Sequence, residues 1–147
     1  MPTVTRSIRI QASQEETFRF IARPDANALY VPSLSRIYGV DGDPNTPGTT
    51  WSWDYTMAGV PFSGQSELTT YEPERRWGFR TTGLVESDWR YTIAPDGEGS
   101  RVEVSITYNV PDTILGRIAD RAVLERTNER ETEQGLENLK KLIEEEL

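Results

Sequence analysis

The sequence predicts an α+β fold in which a curved antiparallel sheet of about seven strands packs against one long C-terminal helix. Three observations support this prediction. Most segments that precede Pro111 alternate apolar and polar residues with the period of a strand. Their charged residues fall opposite the large apolar ones, as expected for a sheet with one covered face and one solvated face. From Thr113 to Glu146 the chain contains no proline, and its apolar residues recur at helical spacing.

The N-terminal elements are predicted to be one strand and two short helices. The strand places four residues on one face: Val4, Arg6, Ile8 and Ile10. Ser13 and Glu16 have the spacing of a capping box, which indicates that a helix begins after Ser13. Pro24 interrupts this helix, and a second helix is predicted over Asp25–Tyr30, before Pro32.

Six further strands are predicted in the middle of the chain. They cover Leu34–Val40, Thr49–Met57, Phe62–Tyr71, Trp77–Thr82, Ser87–Ala94 and Arg101–Val110. Turn-forming residues dominate the connections, as in the loop Asp41–Gly48 and the hairpin Pro95–Ser100. Strand parity places five charged residues on the solvated face: Asp54, Glu67, Arg80, Arg90 and Glu103.

The long helix is predicted over Thr113–Glu146, and it can cross the whole covered face of the sheet. Its apolar stripe comprises Ile114, Ile118, Ala122, Leu136, Leu139 and Ile143. Continuing the helical period between these residues adds Glu125, Glu129 and Thr132, so the stripe is apolar at both ends and polar in the middle. Gly116 and Gly135 are the positions at which the phase of this stripe can shift.

The chain has 147 residues, which is the length of one domain spanning residues 1–147. Its composition limits the classes of partner that it can bind. Its 24 acidic and 16 basic residues give a formal charge of -8, which disfavours nucleic acid and anionic lipid surfaces as partners. No apolar run is long enough for an integral membrane segment, and the N-terminus lacks the apolar core of a signal peptide. We therefore expect a cytoplasmic protein, and the sequence favours no particular oligomeric state.

The chain contains no histidine and no cysteine. These absences remove the commonest general base, the thiolate nucleophile and the commonest metal ligands. We expect neither a metal nor a cofactor, and any chemistry has to use carboxylates, Arg, Lys, Tyr, Ser, Thr or water.

The order of the predicted elements and four sequence stretches resemble the polyketide cyclase/dehydrase and lipid-transfer superfamily, also called START-like or SRPBCC. The stretches are SIRIQASQEETFRFIARPDANALYVPSL, GVPFSGQSELTTYEPERRWGFRT, GSRVEVSITYNVP and GLENLKKLIEEEL. Together they extend over nearly the whole chain, although Tyr30 stands where many relatives have tryptophan. The resemblance implies the helix-grip fold, with a cavity between the curved sheet and the C-terminal helix.

Eight aromatic residues share the covered face by strand parity, and they are candidate ligand-binding residues. They are Trp51, Trp53, Tyr55, Trp77, Phe79, Trp89, Tyr91 and Tyr108. They can line a pocket for a flat or polycyclic ligand, or they can form a packed core. A sheet this aromatic facing a helix this polar favours the pocket. If the folded protein contains no internal volume above about 300 Å³, the low end for ligand pockets, binding of such a ligand and catalysis in the same cavity are both ruled out.

The polar candidates are on the helix and on two strands. Glu125 and Glu129, with Asn128 and Thr132 beside them, can orient a ligand at the pocket mouth, act as a general acid or base, or form a solvated helix face. Two arginines share parity with apolar strand residues: Arg6 and Arg36. Each can bind a ligand anion, pair with the helix carboxylates, or extend into solvent.

The sequence favours a protein that binds or carries an apolar, ring-containing small molecule such as a lipid, a sterol, a quinone or a polyketide-like compound. The alternative is an enzyme of the polyketide cyclase, aromatase or dehydratase kind that uses the same cavity, since such a pocket can act largely by positioning a reactive chain. A third possibility is a regulatory module whose ligand controls a partner.

Overall fold

The computed structural model describes residues 2–57, 59–83, 85–112 and 121–146, with the backbone alone at Met57 and Glu146. The strands are β1 (Thr3–Ile10), β2 (Leu34–Asp41), β3 (Thr50–Met57), β4 (Val60–Glu72), β5 (Arg76–Gly83), β6 (Glu86–Asp96) and β7 (Gly99–Asn109). The helices are α1 (Gln14–Ile21), α2 (Asn27–Tyr30) and α3 (Arg121–Glu146). A short 3₁₀ turn, Pro24–Ala26, precedes α2.

The strands form one antiparallel seven-stranded sheet in the order β1-β7-β6-β5-β4-β3-β2. From β2 to β7, each strand pairs with the next strand along the chain. In contrast, β1 pairs with β7, from Thr3 opposite Thr107 to Ile10 opposite Ser100. The predicted fold class is thereby confirmed.

The two faces of the sheet differ in the way that strand parity predicts. The inner face contributes a set of buried residues that includes Trp51, Trp53, Phe62, Leu68, Trp77, Phe79, Tyr91, Val102 and Val104. On the outer face, Glu67 lies opposite Arg80 in the β4–β5 register, and both side chains are exposed. The hydrophobic core therefore lies between the inner face and the helices.

Local capping explains why the N-terminal segment folds as it does. The Ser13 hydroxyl accepts a hydrogen bond from the Glu16 backbone N–H at 3.1 Å, which satisfies a donor at the start of α1. Phe18 and Ile21 are buried on the inner side of α1. After the interruption at Pro24 the chain does not form the single second helix that was predicted, but the 3₁₀ turn followed by α2.

Helix α3 has a different phase from the one predicted for its first half. Leu124, Leu136, Leu139 and Ile143 are buried, whereas Ala122 is exposed. From Thr132 towards the N-terminus, the inward positions follow two steps of four residues, to Asn128 and then to Leu124. The prediction had taken steps of three, four and three residues, to Glu129, Glu125 and Ala122, and its phase was wrong there. Residues 113–120, which include the predicted stripe positions Ile114 and Ile118 and also Gly116, lie outside the described residues.

The second half of α3 is held close to the segment that follows α2. A side chain at Gly135 would begin 3.4 Å from the Pro32 ring and 3.6 Å from the Tyr30 carbonyl oxygen. The Asn138 amide donates a hydrogen bond of 3.1 Å to that same carbonyl. Gly135 therefore lies where α3 approaches this segment inside one continuous helix, and an added methyl group would make only ordinary contacts there. Among the described helices, none is long and apolar enough to cross a membrane.

Candidate functional site

A cavity lies between the inner face of the sheet and α3. Nine residues singled out from the sequence line it: Trp51, Trp53, Tyr55, Phe79, Trp89, Tyr91, Tyr108, Asn128 and Thr132. Further lining residues include Asn27, Tyr30, Ile37, Ser66, Ser87 and Glu131. The structure therefore brings together side chains from most strands of the sheet and from the middle of α3.

The volume of this cavity is about 100 Å³. This is well below the volume of about 300 Å³ that the carrier and the cyclase hypotheses both require, so the cavity does not meet that requirement in this conformation and a ligand can enter only if it expands. An apolar cavity of about 150 Å³ is enough to hold benzene, so the present volume has room for several water molecules but is smaller than a single ring needs. A polycyclic occupant would need the lining side chains to move apart.

The aromatic wall of the cavity is a packed cluster. Trp51 and Trp77 stack with ring centroids 6.1 Å apart, and Phe79 stacks on Trp89 at 5.4 Å. Phe79 also meets the ring edges of Trp51 and Trp77 at 5.4 and 5.2 Å. Trp77 is fully buried within this cluster and does not line the cavity. Trp77 therefore supports the cavity wall, whereas its strand parity had predicted that it would contact a ligand.

Strand β4 leaves room for these large rings because two of its inward residues are small. Gly64 lies opposite Trp53, and Ser66 lies opposite Trp51, in the β3–β4 register. An added Cβ at Gly64 would be only 2.6 Å from the Trp53 ring. The Trp53 indole therefore packs directly against the β4 backbone. Ser66 is a small polar residue between larger neighbours.

Three buried polar atoms on the cavity walls have no hydrogen-bond partner among the described residues: Trp53 Nε1, Ser66 Oγ and the Tyr108 hydroxyl. Asn128 lies beside the Tyr108 hydroxyl without meeting hydrogen-bond geometry, and burial raises the pKa of that phenol. Buried polar groups without partners are rare and costly. All three atoms belong to residues that line the cavity, so a water or a ligand atom could satisfy them there only after a small movement of the side chains.

Other polar groups of the cavity are already satisfied. The Asn27 amide donates to the Tyr30 hydroxyl at 3.2 Å, and the Tyr91 hydroxyl lies beside Tyr30. Burial is the main cause that raises the pKa of both tyrosines, so both stay protonated at neutral pH. Thr132, on α3, donates its hydroxyl to the Asn128 carbonyl at 2.7 Å.

Glu131 is the carboxylate that α3 presents to the cavity, and it was not predicted. Its Oε2 accepts a hydrogen bond from the Tyr55 hydroxyl at 2.8 Å, and its Oε1 accepts one from Ser33 Oγ at 2.8 Å. Among the described residues, no Lys or Arg nitrogen lies within 4 Å of this carboxylate. Burial first, and then the charge of Glu131 and the hydrogen bond to it, raise the pKa of Tyr55, which therefore remains a donor.

The two predicted helix carboxylates lie elsewhere. Glu129 is outside the main cavity, where Arg6 approaches it at 3.7 Å. Arg6 also makes an ion pair of 3.0 Å with Glu133, so of the three alternatives considered for Arg6 the structure contains the pairing with helix carboxylates, in which Glu133 is an additional partner. Glu125 lines a separate cavity of about 60 Å³ that shares Tyr108 with the main one. The reason is the phase of α3, which turns Asn128 and Glu131 inward instead.

Arg36 lies on the outer face of the sheet, which corrects the prediction that it shares a face with Leu34. The register between β2 and β3 shifts between Leu34 and Arg36, and such a bulge reverses the parity of the residues that follow. Ile37 therefore points into the cavity, while the Arg36 guanidinium lies 4.2 Å from the Tyr38 ring centroid. The Tyr38 hydroxyl in turn donates to Asp54 on the outer face at 3.1 Å.

Comparisons with known proteins agree with this architecture. The model of a family described as polyketide cyclase / dehydrase and lipid transport matches residues 1–144. No protein of curated function matches the sequence.

Solved structures similar to this chain include TTHA0849 from Thermus thermophilus, with a TM-score of 0.82, 21% identity and 97% of each chain covered. The Zhui aromatase/cyclase from Streptomyces sp. R1128 has a TM-score of 0.78 at 16% identity, and the match covers 97% of this chain and 93% of the Zhui chain. A START superfamily protein from Mycobacterium smegmatis has a TM-score of 0.77 at 12% identity, and the match covers 99% of both chains. At these identities the likeness shows a shared fold.

Proposed function

Since the chain belongs to the polyketide cyclase, dehydrase and lipid transport family, we propose that it binds an apolar, ring-containing small molecule in the cavity between the sheet and α3. One observation carries this proposal. Trp53 Nε1, Ser66 Oγ and the Tyr108 hydroxyl lack partners among the described residues, and all three belong to residues that line a cavity with aromatic walls. A ring with a polar substituent matches both properties of this cavity.

The cavity volume narrows the class of ligand. At about 100 Å³, it is smaller than a cavity that holds benzene, so a single ring requires a modest expansion and a sterol or a long-chain lipid requires a large one. A hydroxyl or carbonyl substituent would supply the polar atom that the unpartnered groups need. Quinones are therefore preferred among the ligand classes considered from the sequence, and single-ring phenols, which carry the same kind of substituent, join them here.

The first test compares 4-ethylphenol with ethylbenzene, which lacks the hydroxyl. We expect 4-ethylphenol to quench the tryptophan fluorescence saturably and to raise Tm, because Trp51, Trp53 and Trp89 line the cavity. Ser66→Ala should weaken 4-ethylphenol binding about fivefold, the effect of losing one hydrogen bond, and should leave ethylbenzene unchanged.

The matched control is Ser63→Ala, on the opposite face of the same strand, where the Ser63 hydroxyl donates to Asp54 at 2.8 Å. This variant should bind both compounds like the wild type. If no ring compound binds saturably, and sterols and fatty acids included in the same screen do not bind either, the proposed function is wrong.

A second candidate function is proton-transfer catalysis of the cyclase or dehydratase kind, and the position of Glu131 favours it. This carboxylate lines the cavity and can take a proton from a methylene group between two carbonyls. Once Glu131 carries that proton, the Tyr55 hydroxyl, which is kept protonated by its raised pKa, can turn from Glu131 and donate its hydrogen bond to the enolate oxygen.

The test of this candidate is turnover of an aromatic β-diketone, followed by deuterium exchange at the methylene carbon. Glu131→Gln should reduce exchange at least about a hundredfold, the lower end of what general base catalysis supplies, and should leave 4-ethylphenol binding intact. Equal exchange by the wild type and the variant would leave the protein a binding protein only.

A further inference from the structure

We infer that the end of the cavity at Glu131 recognises a positively charged ligand group, so that the preferred ligand is a small aromatic amine. This inference rests on the proposed function and specifies its ligand class. Glu131 is a half-buried carboxylate whose two partners, Tyr55 and Ser33, are neutral hydroxyl donors. Within the described residues no Lys or Arg nitrogen lies within 4 Å of it, whereas Glu129 and Glu133 both have Arg6 within that distance.

The carboxylate keeps capacity for a further donor. A carboxylate has about four lone-pair sites, and the hydrogen bonds from Tyr55 and Ser33 occupy one on each oxygen. A carboxylate removed in part from water and lacking a positive partner is costly, and a ligand ammonium group would offset that cost with a charge-assisted hydrogen bond.

Aromatic rings next to the carboxylate favour the same kind of group. Tyr55 contacts Glu131 directly, and Trp53 precedes it by two residues on the inner face of β3. An ammonium group is attracted to the faces of such rings as well as to the carboxylate. The formal charge of -8 on the whole chain also attracts cations and repels anions.

Two kinds of polar group in the cavity then define the ligand. The unpartnered Trp53, Ser66 and Tyr108 groups favour a hydroxyl or carbonyl oxygen, and Glu131 favours an ammonium. Tyramine carries both groups on one ring, and 4-ethylphenol is its analogue without the amine. The pair therefore separates recognition of the charge from recognition of the ring and its hydroxyl.

The experiment titrates the wild type at low salt with tyramine, 4-ethylphenol and 3-(4-hydroxyphenyl)propionate, which carries an anion in place of the ammonium. We expect tyramine to bind about tenfold more tightly than 4-ethylphenol, the effect of one hydrogen bond to a charged group, and the anion to bind most weakly. This charge series requires no variant and so does not depend on the folding of one.

Glu131→Gln should remove the preference for tyramine and retain the affinity for 4-ethylphenol. The control is Glu137→Gln, an exposed residue of α3 that makes the same change in net charge without lining the cavity. It should retain the preference.

Two results would overturn the inference. One is a wild type that binds 4-ethylphenol at least as tightly as tyramine, which leaves the proposed function standing. The other is a tyramine preference that persists in Glu131→Gln. If neither compound binds the wild type, this inference fails, and the wider screen of ring compounds, sterols and fatty acids decides whether the proposed function fails with it.

Discussion

Gly64 determines how closely the Trp53 ring can approach the sheet. Trp53 lies on the β4 backbone at this glycine, and its indole nitrogen has no partner among the described residues. Strand parity was sufficient to predict that Trp53 and Trp51 face the cavity. It could not identify Gly64 or Ser66 as cavity residues, because small residues add little to an alternating hydrophobic pattern.

Gly64→Ala should destabilise the protein by at least about 2 kcal/mol, since overpacking of this kind costs about 1–3 kcal/mol. The new methyl group would lie 2.5 Å from the Thr82 carbonyl oxygen and 2.6 Å from the Trp53 ring, and the backbone atom cannot yield as a flexible side chain would. Urea unfolding measures the loss.

Gly135→Ala is the matched control for this prediction. Its methyl group would meet the Pro32 ring at 3.4 Å, an ordinary contact, and alanine favours the helix over glycine by about 1 kcal/mol. The free energy of unfolding should therefore be unchanged or higher. Similar losses in both variants would show that the close approach at Gly64 is not the cause.

At the scale of single elements, two small irregularities decide which polar residues reach the cavity. A bulge in β2 moves Arg36 to the outer face, and the phase of α3 selects Glu131 in place of Glu125 and Glu129. A β-bulge cannot be recognised from the sequence of a short alternating segment. The helical phase could have been recognised from Leu124, which is buried and lies on one stripe with Asn128 and Thr132.

The C-terminal end of α3 is tied to the end of β1 through Glu144. Its carboxylate accepts hydrogen bonds from Lys140 Nζ at 2.6 Å and from the Gln11 backbone N–H at 2.7 Å. The Lys140 ammonium also donates to the Arg9 carbonyl at 3.0 Å. The bond from Lys140, and then that from Gln11, lower the pKa of Glu144 below its ordinary value of 4.5.

Glu144→Gln should lower the free energy of unfolding at neutral pH by about 0.5 kcal/mol, because this side chain is partly exposed. Because the pKa of Glu144 is lower in the folded than in the unfolded state, its carboxylate stabilises the folded protein at pH values above the unfolded pKa. The difference in unfolding free energy between wild type and variant should therefore persist down to pH 4.5. Below that value it should shrink as the carboxylate is protonated in the folded protein.

Chemical denaturation of both proteins across this pH range measures the difference. Glu145→Gln, at an exposed neighbouring position, should follow the wild type throughout. A Glu144→Gln difference that stays constant to about pH 3 would contradict this role of the charge.

For the molecule as a whole, the sequence was sufficient to predict the architecture and only part of the cavity. Alternation in the strands and the long C-terminal helix follow from local periodicity, which a single sequence records directly. The cavity volume depends on how rings such as Trp51 and Trp77 stack across strands, and that packing has no local signature. For this reason the aromatic wall was predicted, whereas the volume it encloses was overestimated.

The pairing of β1 with β7 also determines when the sheet can close during synthesis of the chain. Thr3 and Thr107, whose hydroxyls meet at 3.0 Å, are 104 residues apart in the chain. At a synthesis rate of about 5–20 residues per second, the first strand waits roughly 5–20 s for its partner to be made. Throughout that interval Val4 and Ile10, both buried in the folded protein, have no strand to cover them. Closure of the sheet is therefore a late event with a large loop-entropy cost, and the nascent chain is most vulnerable to aggregation before β7 emerges.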